Sequence, residues 1–62
     1  MREEIPFGND KVLILTVNET TGLVSKAELY SPLNLITLST QHYPYNVTRE
    51  KAIEDARFAG GF

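Results

Sequence analysis

From Lys11 to Val17 nearly every position is apolar: Leu13, Leu15 and Val17 fall on one side of an extended chain, Val12, Ile14 and Thr16 on the other. A strand apolar on both faces belongs inside a sheet, sheltered on each side. Leu23 to Tyr30 alternates more cleanly, with Leu23, Ser25, Ala27 and Leu29 on one face and Val24, Lys26, Glu28 and Tyr30 on the other. That spacing predicts a half-exposed strand with mixed charges on its wet side. Between the two, Glu19-Thr20-Thr21-Gly22 predicts a tight hairpin loop with Gly22 in the left-handed region. Ser31-Pro32-Leu33-Asn34 breaks the pattern, and Pro32 suits the second position of a turn. Leu35 to Thr40 then predicts a third strand, and 41–46 a loop.

The period changes after Val47. Thr48 stands where a helix N-cap belongs, with Val47 and Ala52 in the hydrophobic-staple positions. Glu50 and Arg57 sit at the helix ends their charges favour, and Gly60 suits the stop. The helix is expected over 48–59. Ala52, Ile53, Ala56 and Ala59 share one arc of it, with Arg49 at the first turn, so small residues let the helix approach the sheet closely. Phe58 falls on the polar side. Either the last turn frays and Phe58 folds back onto the core, the reading favoured by irregular helix ends, or it is an exposed anchor for a partner.

The expected fold is α+β: a three-stranded antiparallel sheet, hairpin plus third strand, packed on one C-terminal helix. Residues 1–62 form a single small domain, with 1–10 an N-terminal arm, 11–40 the sheet, 48–59 the helix and 60–62 a flexible tail. In the arm, Ile5 and Phe7 are expected to dock on a core edge or a partner.

Composition sharpens this picture. A chain of 62 residues buries only about 60% of the surface its unfolded form exposes, so its core is marginal. It has no cysteine and one histidine, which rules out disulfides and histidine- or cysteine-rich zinc sites. Self-association is then a natural source of stability, and a homodimer is one expectation. With 42% hydrophobic residues the chain can collapse, and a net charge of −2 with scattered Lys and Arg argues against a nucleic-acid partner. The longest apolar run, Val12 to Leu15, is too short for a signal peptide or a membrane span, which points to the cytoplasm, the host's if the protein is viral.

Little in the chain suggests chemistry. The glycines occupy turn positions rather than a phosphate loop, and no helical His or Glu pair has metal-binding spacing. His42 with Ser39 or Ser31 would be a nucleophile and base without a third group. No enzymatic activity and no cofactor are expected. The densest aromatic stretch is His42-Tyr43-Pro44-Tyr45, a recognition loop or a connector covering the open end of the core. The partner-binding candidates are therefore His42, Tyr43, Tyr45, Phe58 and Phe62.

The order strand–strand–strand–helix resembles the integrase amino-terminal type of DNA-binding domain, but without its Arg-rich strand faces. The run Thr48-Arg49-Glu50-Lys51-Ala52-Ile53-Glu54-Asp55-Ala56 is similar to the Thr-x-Glu-x-Ala-x-x-x-Ala helix start of HicB-type antitoxins, whose preceding Pro-rich segment is not matched. Short cysteine-free chains of this kind also resemble bacteriophage accessory proteins. The expected function is a protein-binding module that binds and modulates a host protein. The alternatives are a nucleic-acid-binding domain using a sheet face with Lys26 and Tyr30, or a structural subunit of a larger assembly such as a virion.

Overall fold

The computed structural model describes residues 1–58. Four antiparallel strands run in sequence order across one sheet: β1 (Arg2–Phe7), β2 (Lys11–Val17), β3 (Val24–Ser31) and β4 (Ile36–Val47). Helix α1 (Arg49–Phe58) packs across one face, over β2 and β3. Leu13, Leu15, Val17, Val24, Ala27, Ala52 and Ala56 form the core between sheet and helix, with Ile5, Phe7, Tyr43, Val47 and Ile53 packed around them.

The sheet thus has four strands, not the three expected, and the extra one is the supposed arm. Glu3, Ile5 and Phe7 alternate with Arg2, Glu4 and Pro6, and the half-buried set faces the core side. Pro6, opposite Val12, made this segment look like a terminus. An edge strand tolerates the missing N–H where a central one would not. Gly8, at φ +74°, turns the chain back into β2, and the Met1 carbonyl accepts the Val17 N–H at 2.7 Å.

The β2–β3 turn forms as the sequence predicts, with Gly22 at φ +74°. Asn18 completes it. Its side-chain oxygen accepts from the Thr20 and Thr21 amides at 2.8 and 3.1 Å, and its own N–H donates to the Leu23 carbonyl at 2.8 Å. The strand after it is out of phase with the simple alternation. A bulge skips Ser25, so Val24 pairs with Val17 and Lys26 with Thr16. Val24 therefore turns into the core with Ala27 and Leu29, and Leu23 stays in the turn. One extra residue reverses every face assignment before it.

β4 is twice as long as the third strand expected and absorbs the segment read as a loop. Leu38 is bulged between the pairs Leu29–Ser39 and Tyr30–Thr37, and a second irregularity lies between Lys26–His42 and Val24–Val47. Those offsets broke the sequence periodicity without ending the strand.

Among the described residues, neither an arm nor another layer shelters the second face of β2. Ile14 stands between Glu4 and Glu28 in the register, yet is only 8% exposed. Glu4 pairs with Arg2 at 3.0 Å and Glu28 with Lys26 at 3.5 Å. Glu4 and Glu28 flank Ile14 from the two neighbouring strands, and long charged side chains can cover apolar surface with their stems while their ends reach water.

Candidate functional site

Thr48 caps α1 as its sequence position implies: its hydroxyl oxygen accepts the Lys51 N–H at 3.2 Å. Two side-chain ties then fix the helix on the sheet. Arg49 Nε donates to both Glu3 carboxylate oxygens, at 2.7 and 2.8 Å, joining the helix start to β1. The Tyr43 hydroxyl donates to Asp55 Oδ2 at 2.8 Å, joining the helix to β4, and Lys51 Nζ meets Asp55 Oδ1 at 3.0 Å. Neither tie is visible in local sequence, because the partners meet only once the sheet has formed.

The second tie shifts both of its groups. Burial first, then the hydrogen bond to Asp55 and its charge, hold the Tyr43 hydroxyl protonated well above its ordinary range. The bonds from Tyr43 and Lys51 hold the Asp55 carboxyl below its usual 3.8, against the opposing effect of desolvation. Asp55 is an acid with a lowered folded value, so it stabilises the fold above its unfolded value and loses that contribution as pH falls through the folded one. Tyr43 is raised, so its contribution is present below its unfolded value of 10.0 and fades as pH rises beyond it. Unfolding midpoints measured across pH should show Asp55→Asn less stable than wild type at neutrality, with the gap closing below about pH 4. Tyr43→Phe should lower the melting midpoint at pH 7 by roughly 5 °C, with its gap narrowing only above about pH 10.

With the helix so fixed, Phe58 projects outward. It lies in the helix and is 91% exposed, so it does not fold back onto the core as the fraying argument favoured. Glu50, Ile53, Glu54, Arg57 and Phe58 line an open concavity of about 580 Å³ along this flank. Their spacing is that of one helical stripe. The apolar part is Ile53 and Phe58, and the rim carries both signs of charge.

The other candidates are dispersed. His42 and Tyr45 are exposed on β4, Tyr45 at 88%. Tyr43 is half-buried against the core and engaged with Asp55. Phe62, with Ala59, Gly60 and Gly61, lies outside the described residues. Ser39 pairs with Leu29, on the helix side of the sheet, whereas His42 pairs with Lys26 on the open side, so the two do not face each other. The Ser31 hydroxyl accepts from the Asn34 amide and side chain at 3.4 and 3.3 Å. Among the described residues no group of three His, Asp or Glu side chains is placed to hold a metal ion. Among the same residues no helix is long and apolar enough to cross a membrane.

Two further surfaces stand out, the first of them expected through Lys26 and Tyr30 and the second not expected. One is the open sheet face, where Arg2, Ile14, Thr16, Lys26, Glu28, Tyr30 and Thr37 line a shallow polar hollow of about 370 Å³. The other is the β3–β4 hairpin, where Leu33, Leu35, Ile36 and Leu38 are all exposed. Leu35 has φ +55° in the left-handed region, at a cost of about 1 kcal/mol for a residue with a side chain. The cue available in the sequence was the run Pro32-Leu33-Asn34-Leu35-Ile36, of which Leu33 was read into the turn and Leu35 and Ile36 into the third strand.

The architecture is a four-stranded antiparallel meander crossed on one face by a C-terminal helix. Comparison with protein-family models, with curated proteins and with solved structures finds no match.

Proposed function

We propose that this chain is a non-enzymatic protein-binding module, a small phage-type accessory factor that binds and modulates a host protein. Phe58 carries the reading. A large aromatic at 91% exposure has no role in the core, and it stands beside Ile53 within a rim of Glu50, Glu54 and Arg57. An aromatic anchor ringed by polar groups that exclude water is how the strongest contacts of protein interfaces are built. The two helix ties, Arg49–Glu3 and Tyr43–Asp55, preorganise that flank, which lowers the cost of ordering it on binding.

The nucleic-acid alternative finds less support. On the open sheet face each cation has a carboxylate of its own, Arg2 with Glu4 and Lys26 with Glu28, which leaves no excess positive charge to release counterions from phosphates.

The test is affinity capture from extract of the native host on immobilised wild-type and Phe58→Ala protein, followed by titration of the purified partner. Loss of Phe58 should weaken binding at least about 30-fold, the size of a hot spot. The circular dichroism spectrum should be unchanged, since an exposed side chain contributes little to folding. A partner held equally by both proteins would remove Phe58 from the interface.

A further inference from the structure

β1 and β4 are the two edges of the sheet, and they are built differently. β1 is short and carries Arg2, Glu3, Glu4 and Pro6, the charges and proline that discourage strand addition. β4 has 12 residues and no Asp, Glu, Lys or Arg, and the uncharged run extends from Leu29 to Thr48; its guards are Pro44 and two register breaks, which leave Ser39–His42 as a regular, uncharged stretch of edge. Among the described residues no strand pairs with its outer side. Its length is beside exposed apolar groups: Leu33 at 82%, Leu35 at 78%, then Ile36, Leu38 and Tyr45. Leu35 keeps this exposure in a left-handed conformation that Gly or Asn would adopt more readily.

We infer that β4 is the surface through which two copies of this chain pair, edge to edge and antiparallel, joining two four-stranded sheets into one. A strand that adds here must be extended, uncharged and apolar in part, and β4 itself meets that description. Each copy has a net charge of −2, and β4 against β4 brings no charged side chains of its own together.

The geometry matches as well. The regular part of β4 lies between its two irregularities, with Gln41 near the middle. A two-fold pairing centred there sets the regular stretch Ser39–His42 against the same stretch of the second copy and leaves Pro44, which has no N–H to donate, outside the ladder. Ile36, Leu38 and Tyr45 on β4, with Leu33 and Leu35 just before it, together expose roughly 600 Å² per copy on or beside this edge, against about 800 Å² per partner in a standard interface. Pairing consumes both β4 edges and leaves only the guarded β1 edges outside, so assembly closes at two copies.

This inference is independent of Phe58, and the test separates them. Sedimentation velocity over a wide concentration range should show the 7.0 kDa chain passing to twice that mass. Thr40→Lys places a charge at the middle of the edge, next to Glu28, which can receive it without loss of the fold. Leu35→Asn keeps the left-handed turn and removes the apolar contact. Each should weaken the dimer at least about tenfold, by the size of single interface contacts, and Phe58→Ala should leave it intact. Amide exchange in the concentrated wild type should slow over Ile36–Val47 and not over Arg2–Phe7. A wild-type protein that stays monomeric throughout overturns the inference. So does a dimer that survives both β4 substitutions, or one that Phe58→Ala dissolves.

Discussion

Leu15→Ala should remove about half or more of the folding stability of this protein. Leu15 is fully buried at the middle of β2, paired with Glu3 on one side and Ala27 on the other. Truncating such a residue loses its transfer free energy and leaves a cavity, for a total of about 2–5 kcal/mol. A domain of 62 residues has a stability of order 3–9 kcal/mol in all. Neighbours can fill the space only in part, because Ala27 beside it on β3 and Ala52 and Ala56 across the layer on α1 are small and attached to rigid elements. Urea titration followed by circular dichroism should show the midpoint roughly halved or the protein unfolded without denaturant. The comparison is Val12→Ala, on the open face and only half-buried, which should cost under about 1 kcal/mol. Equal effects from the two would mean the core is not where it is placed here.

Ala56→Leu is expected to be almost as damaging, for the opposite reason. Ala56 and Ala52 have no exposed surface and set how closely α1 lies on β2 and β3. Three added carbons have nowhere to go, and overpacking of this kind costs about 1–3 kcal/mol. The helix would lift on the side where Arg49 and Asp55 hold it, straining both ties. The expected result is a lower urea midpoint together with loss of the Tyr43–Asp55 bond, seen as Tyr43 titrating nearer its ordinary 10.0 in an alkaline absorbance scan. If the Phe58 flank binds its partner only when the helix is held in place, partner affinity falls too. An Ala56→Leu protein of unchanged stability would show that the helix sits farther from the sheet.

Elements whose signals are local were legible from residue types alone. The β2 strand, the Gly22 turn, the Pro32 break and the Thr48 cap each depend on neighbours within a few positions, and each stands where its residues place it. The mistakes lie where pairing across the sheet overrides local pattern. Pro6 is a strand residue because its partner, β2, offers an edge. Ser25 and Leu38 are bulged because the strands opposite them set the register. Pro44 and the tyrosines around it look like a loop, yet they continue β4 because His42 and Val47 on either side pair with β3.

The candidate site divides the same way. Phe58 was singled out because it breaks the helical stripe, and that mismatch is readable at 100° per residue. Whether it returned to the core or stood in water depended on whether the last turn held. The ties that hold α1 join residues of different elements, Glu3 with Arg49 and Tyr43 with Asp55. The hairpin leucines were hidden for a related reason: alternation assigns a face but not whether anything lies on it.

By itself, then, the sequence determined an α+β fold with a two-sided apolar strand and a close-packed, alanine-faced helix, since hydrophobic period, turn residues and caps act over short distances. The tertiary structure decided how many strands there are, what shelters Ile14, and which apolar groups remain in water. Those outcomes depend on which segments meet, and that is a balance over the whole chain: an edge that accepts Pro6, Glu4 and Glu28 flanking Ile14 from the neighbouring strands, and a fourth strand whose outer side no other described strand covers.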